Sequence, residues 1–157
     1  MSATHDVTPR VMGAQHTAVV HARLPAGDLP GWLPGVLRAV DDYLHRVGLA
    51  PCGPAFARYT FLDGDIAVEA GYPSPAEVAG DGWVHPSTLP GGRVAVTTRH
   101  AVEDGVAEPL EAVRCWLAAR GYAPAGPHWE VYFTSPEAVL DPARWRIDVV
   151  VPYAEPA

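Results

Sequence analysis

Residues 43–59, YLHRVGLAPCGPAFARY, align without a gap against residues 116–132, WLAARGYAPAGPHWEVY, at an offset of 73. Seven of the seventeen positions are identical: Leu44/Leu117, Gly48/Gly121, Ala50/Ala123, Pro51/Pro124, Gly53/Gly126, Pro54/Pro127 and Tyr59/Tyr132. Chance gives about one or two such matches, and these include turn formers at fixed offsets, so the segment is an internal repeat. Two copies are too few for a solenoid and suit one domain built of two fused halves, about 16–74 and 92–154, with a connector at about 75–91.

Each half carries the same order of signals. In the first, TAVVHA (17–22) reads as a strand, and Asp28 and Pro30 open an apolar-periodic helix through Trp32, Val36, Leu37, Val40, Leu44 and Val47 that Gly48 stops. After the Pro-x-Gly-Pro turn, FARYTF (56–61) and DIAVEAGY (65–72) have the β-branched and aromatic bias of strands, joined by Asp63-Gly64. The second half repeats this with RVAVTTR (93–99), a helix from Asp104 through Val106, Leu110, Val113 and Leu117 to Gly121, then WEVYFT (129–134) and WRIDVVVPY (145–153). The connector holds a short strand around Trp83 to Leu89, with Pro86 fitting best at a sheet edge. The expected fold is α+β: tandem strand-helix-strand-strand units, helices on one face of an antiparallel sheet, and a ligand cleft between the repeats.

Composition narrows the function. Eleven basic residues, all arginine, stand against 18 acidic ones for a net charge of −7. That balance argues against a phosphate-binding surface, so no nucleic-acid partner is expected. The start lacks a cationic segment followed by an apolar run, and no stretch nears the roughly 18 apolar residues that span a bilayer, so the expectation is a cytoplasmic protein with no membrane partner. Cys52 and Cys115 form no motif, the seven histidines show no metal spacing, and no nucleophile elbow or phosphate loop occurs. No cofactor or metal is expected, and the oligomeric expectation is a monomer or weak dimer.

Five segments in order, GPAFARY (53–59), DIAVEAGYP (65–73), LPGGRVAVTTRH (89–100), GYAPAGPHWEVYFT (121–134) and DPARWRIDVVVPY (141–153), resemble the GyrI-like small-molecule-binding domains, found also as effector-binding domains of AraC-type and multidrug-sensing MerR-type regulators. The resemblance implies a central aromatic-lined pocket with one buried glutamate, Glu130 here, that takes amphipathic, aromatic and cationic ligands. It also implies antibiotic or toxin sequestration or sensing, by a stand-alone member with too few residues before the first strand for a helix-turn-helix. A family Gly-Pro-Tyr-like element is replaced by His100-Ala101-Val102, removing an aromatic from the pocket mouth. Some members hydrolyse cyclopropane-bearing genotoxins, which implies an alternative with Glu130 as general base and Tyr132 or Tyr59 as hydrogen-bond donor. A weaker alternative is inhibition of a DNA topoisomerase by protein–protein contact.

Alternation in the strand sends Glu130, Tyr132 and Thr134 to one face and Trp129, Val131 and Phe133 to the other. The apolar set is expected against the helices, leaving the carboxylate and the phenol on the opposite face. A carboxylate among aromatic rings is poorly solvated, and an arriving cation relieves that cost. Tyr59 matches Tyr132 across the repeat, and Tyr72 and Tyr153 close the last strand of each copy; these four, with Trp83, are candidate pocket walls suited to aromatic and cationic ligands. Ala57 occupies the slot of Glu130 in the first copy, so the site is expected to be asymmetric, with one carboxylate. Glu69 is expected on a solvated face.

Overall fold

The computed structural model describes residues 6–99, 106–133 and 146–155. They divide into two units, one of residues 14–90 and one of residues 1–13 with 91–157.

The unit of residues 14–90 holds β2 (Gln15–Pro25), a 3-10 turn at Ala26–Asp28, α1 (Leu29–Arg46), β3 (Ala55–Leu62), β4 (Asp65–Ser74) and β5 (His85–Leu89). Its antiparallel order is β3-β4-β2-β5. The apolar stripe Leu33, Val36, Leu37, Val40, Tyr43 and Leu44 is buried, and α1 packs on β4 and β2. Asp28 occupies the N-cap of α1 without a side-chain capping bond, so Pro30 in the first turn sets the start. Asp63 and Gly64 both have positive φ, 47° and 91°, as a two-residue hairpin turn of type I′ requires. Pro86 lies on the edge strand β5, opposite Ala18, where it was expected.

The other unit holds β1 (Thr8–Met12), β6 (Gly92–Arg99), α2 (Ala107–Ala119), β7 (Ala123–Pro124), β8 (Trp129–Tyr132) and β9 (Ile147–Ala154). Its order, β8-β9-β6-β1, matches that of the first unit element by element, with β7 adding a short pairing to β9. The sequence reading missed β1. It sits where β5 sits in the other unit: Ala95 opposes Pro9 as Ala18 opposes Pro86. One half takes its edge strand from the segment that follows it, the other from the start of the chain. The N-cap expected at Asp104 lies outside the described residues, and Val106 takes that position.

The repeated turn has a physical cause. In each copy the helix ends on a left-handed glycine, Gly48 (φ 81°) or Gly121 (φ 73°). The next N–H reaches back five residues, Leu49 to Leu44 O at 2.8 Å and Tyr122 to Leu117 O at 3.0 Å, a Schellman closure. Further on, the amides of Cys52 and Ala125 donate to Pro73 O (3.1 Å) and Pro152 O (2.8 Å) on the last strand. A Cβ on Gly53 would lie 3.1 Å from the Pro73 ring, a tight contact that the ring would have to yield to by a few tenths of an ångström, whereas at Gly126 the matching distance to Pro152 is 3.8 Å.

Register also settles the equivalence of the last strands. Tyr59 opposes Val68 and Tyr132 opposes Ile147. Counting on from those partners, Tyr72 corresponds to Val151 and Tyr153 to Ser74. The two tyrosines expected to close the strands alike are therefore not equivalent, because the last strands are offset by 79 residues (147 less 68) and the turn segment by 73.

Candidate functional site

Glu130 stands in β8 opposite Val149 of β9, and Val149 belongs to the buried cluster that α2 builds with Ala95, Leu110, Val113, Leu117, Val151 and Tyr153. Residues paired across antiparallel strands share a face. Glu130 and Tyr132 thus lie on the helix-bearing face, which reverses the expectation that Trp129, Val131 and Phe133 would take it. Alternation separates two faces but does not say which one meets the helix. Exposure does not separate the faces by itself: Glu130 and Tyr132 are buried, Val131 is half-buried and Phe133 is 49% exposed with Arg146 over its ring, but Trp129 is buried too. Thr134 lies outside the described residues.

The carboxylate is met by a residue the sequence reading did not single out. Arg99, at the end of β6, donates from Nε to Glu130 Oε2 at 2.7 Å, and the two side chains are 8% and 0% exposed. Register brings them together: Arg99 and Tyr132 both oppose Ile147, and Thr97 and Glu130 both oppose Val149. Two residues before Glu130, burial lowers the pKa of His128 below 6.5; the Glu130 carboxylate acts in the opposite sense, and Arg114 and Arg99 add to the lowering. Trp129 Nε1 is buried with no hydrogen-bond partner among the described residues.

The equivalent positions in the other unit are apolar. Ala57 opposes Ala70 as Glu130 opposes Val149, and Ala22 opposes Val68 as Arg99 opposes Ile147. One copy holds Arg and Glu where the other holds two alanines. Tyr59, on the face of Ala57, is buried with its ring edge-on to Phe61 at 5.6 Å. Tyr72 is half-buried in β4. Trp83 is 54% exposed in the turn before β5, where its amide donates to Asp81 Oδ1 at 3.0 Å. Tyr153 stacks on Tyr122 (5.0 Å) and meets Trp116 edge-on (5.9 Å), within the core under α2. Of the seven predicted residues, Glu130 and Tyr132 come together as neighbours on one strand face, and Tyr153 packs in the core of their unit. Ala57, Tyr59, Tyr72 and Trp83 belong to the other unit. His100-Ala101-Val102 lies outside the described residues.

The opposite face of each unit carries one carboxylate, and these two are equivalent. Asp148 is buried and accepts Thr98 Oγ1 at 2.8 Å. Its counterpart, Glu69, is 13% exposed and accepts Ser87 Oγ at 3.1 Å, with His21 Nε2 at 3.2 Å and Arg58 Nε at 3.6 Å. Glu69 was expected on a solvated face and instead has three partners, one from each of the other strands of its unit. Among the described residues no cluster of His, Cys, Asp and Glu has the arrangement of a metal site, and no helix is long and apolar enough to cross a membrane.

Two units of matching strand order, one of them enclosing the Arg99–Glu130 charge pair, define a tandem α+β domain. The GyrI-like small-molecule-binding family model matches residues 40–154, and the chain belongs to that family. No curated protein matches the sequence. Among solved structures, the C-terminal domain of EcmrR is 13% identical over 98% of this chain and 100% of that one, with a TM-score of 0.84. In the complex of EcmrR with DNA, this chain spans 59% of the longer protein. A protein from Listeria innocua described as a hydrolase aligns at 9% identity over 98% of this chain and 94% of that one, TM-score 0.67. SAV2435, bound to tetraphenylphosphonium, aligns at 13% identity over 95% of this chain and 94% of that one, TM-score 0.64. These likenesses show the fold, and the family assigns the domain to small-molecule binding.

Proposed function

We propose that this domain binds amphipathic aromatic molecules carrying a positive charge, with the Glu130 carboxylate as counter-charge and Tyr132 beside it as an aromatic wall. The observation that carries this reading is the fully buried Glu130 itself. A strand-helix-strand-strand unit does not need it, since the unit with Ala57 in that slot builds the same register. Enclosing a carboxylate costs several kcal/mol before its partners offset it, so a binding role explains its presence better than folding does. A ligand reaching it displaces the side chains around it, Arg99 first. The fold shared with SAV2435, which holds the lipophilic cation tetraphenylphosphonium, supports the ligand class. Such capture serves sequestration or sensing of a toxic compound.

Titrating a cationic xanthene dye by fluorescence anisotropy tests this. Glu130→Gln should weaken binding by about tenfold or more, the cost of removing one partner of a buried charge contact. Equal affinity in the two proteins would rule the counter-charge out.

Glu130 and Tyr132, neighbours on one strand face, also support a hydrolytic reading. Glu130 would act as general base on a water attacking a ring carbon of a cyclopropane conjugated to a carbonyl: the new C–O bond forms as a ring C–C bond breaks, the electron pair moves to the carbonyl oxygen, to which Tyr132 would donate, and the proton taken by Glu130 is passed to that oxygen to complete the addition of water. Mass analysis of the chain incubated with a cyclopropane-bearing compound decides: a product heavier by one water, absent with Glu130→Gln, would favour turnover, and unchanged substrate would count against it.

A further inference from the structure

We propose that the unit of residues 14–90 carries a second binding site, on the sheet face opposite the helix, for small zwitterions of the α-amino-acid type. The ligand carboxylate seats on Arg58 and the ligand ammonium on Glu69. This site is separate from Glu130 and does not depend on that residue's role.

Register builds it. Arg58 of β3 and His21 of β2 both oppose Glu69 of β4, so the three residues form one row across the face. A carboxylate only accepts, so His21 donates to Oε2 from Nε2 at 3.2 Å, and Ser87 Oγ donates to the same oxygen at 3.1 Å. Those two bonds use half of the roughly four acceptor sites of a carboxylate and leave room for an ammonium. Arg58 is in the reverse position. Its Nε lies 3.6 Å from Glu69 Oε1, too far for a hydrogen bond, and no other polar partner meets it among the described residues, although its side chain is only 27% exposed. A largely enclosed guanidinium thus keeps open donors beside a carboxylate with open acceptor sites. Thr17, opposite Ser87 on the same face, is buried, and its Oγ1 also lacks a partner among the described residues.

A ligand with one charge fits this row poorly, because Glu69 repels an anion on Arg58 and Arg58 repels a cation on Glu69. A ligand holding both charges one carbon apart meets an opposite charge at each end. The planar guanidinium fork suits its carboxylate. Folding does not require the set. In the other unit the equivalent carboxylate, Asp148, has Val131 where Arg58 stands and Thr98 where His21 stands, and the Thr98 hydroxyl bonds it. The arginine 3.6 Å from Asp148, Arg146, is exposed and lies over the Phe133 ring, so its plane is occupied. Unlike Glu130, Glu69 retains some exposure beside the exposed His21, so a ligand need not open the core to reach it.

NMR shifts of the full chain test this with three matched probes: L-phenylalanine, which carries both charges, phenethylamine, which lacks the carboxylate, and hydrocinnamate, which lacks the ammonium. L-phenylalanine should shift the His21 ring and the Glu69 and Ser87 amides saturably, with a Kd about tenfold or more below that of either analogue at the same signals. Arg58→Met should raise that Kd to the level of phenethylamine and leave binding of the cationic xanthene dye unchanged. A thermal melt establishes that the variant is folded, and the comparison of probes on the wild type needs no variant. If L-phenylalanine leaves those signals unmoved up to its solubility limit, binds no more tightly than either analogue, or binds Arg58→Met as well as the wild type, the inference falls. The dye titration with Glu130→Gln decides the other site separately.

Discussion

His128 reports how closed the end of β8 is. Unfolded, its ring takes up a proton near pH 6.5; folded, burial holds the neutral form to lower pH. Just below pH 6.5 the unfolded chain therefore binds more protons than the folded one, so stability falls as the pH drops through that value. Urea midpoints measured across this range should decline for the wild type and decline less for His128→Asn; parallel curves would show that the ring is not enclosed. At this scale the sequence was half legible. Glu130 was singled out by the family resemblance, alternation placing it only on one of two faces, and its Ala57 counterpart by alignment. Arg99 could not be found, because an arginine ending RVAVTTR reads as a solvated strand terminus, and only the β6-β9-β8 register sets it against the carboxylate.

Elements were easier to read, because their signals are local. The strands from 55 to 74 and the glycines ending both helices follow from side-chain branching and backbone freedom. β1 gave no such signal: TPRVM is short, contains a proline, and finds its partner about eighty residues away. It is nonetheless tied in, with Thr97 Oγ1 donating to Asp6 O at 2.8 Å and Val7 packed against the α2 core. A chain beginning at residue 14 should lose about 2 kcal/mol in urea unfolding and associate at high concentration, since β6 would become an unprotected edge. An unchanged midpoint would mean that β1 contributes nothing.

Across the whole molecule, duplication supplied the frame, and divergence placed a buried charge pair in one copy. Both copies keep the turn, the Schellman closure, the edge proline and the strand order, and they differ at the two positions where one holds Arg99 and Glu130 and the other Ala22 and Ala57. A symmetric fold with one asymmetric charge pair should bind one ligand per chain. Equilibrium dialysis with the cationic xanthene dye measures this, and a stoichiometry of two would mean that the alanine copy also binds. The borrowed edge strand has a consequence during synthesis. Residues 14–90 include every strand of their unit and can fold as soon as they leave the ribosome. The other unit closes in two steps: β1 waits unpaired until its partner β6 is made some eighty residues later, and the sheet and its core are complete only when β9 ends at Ala154.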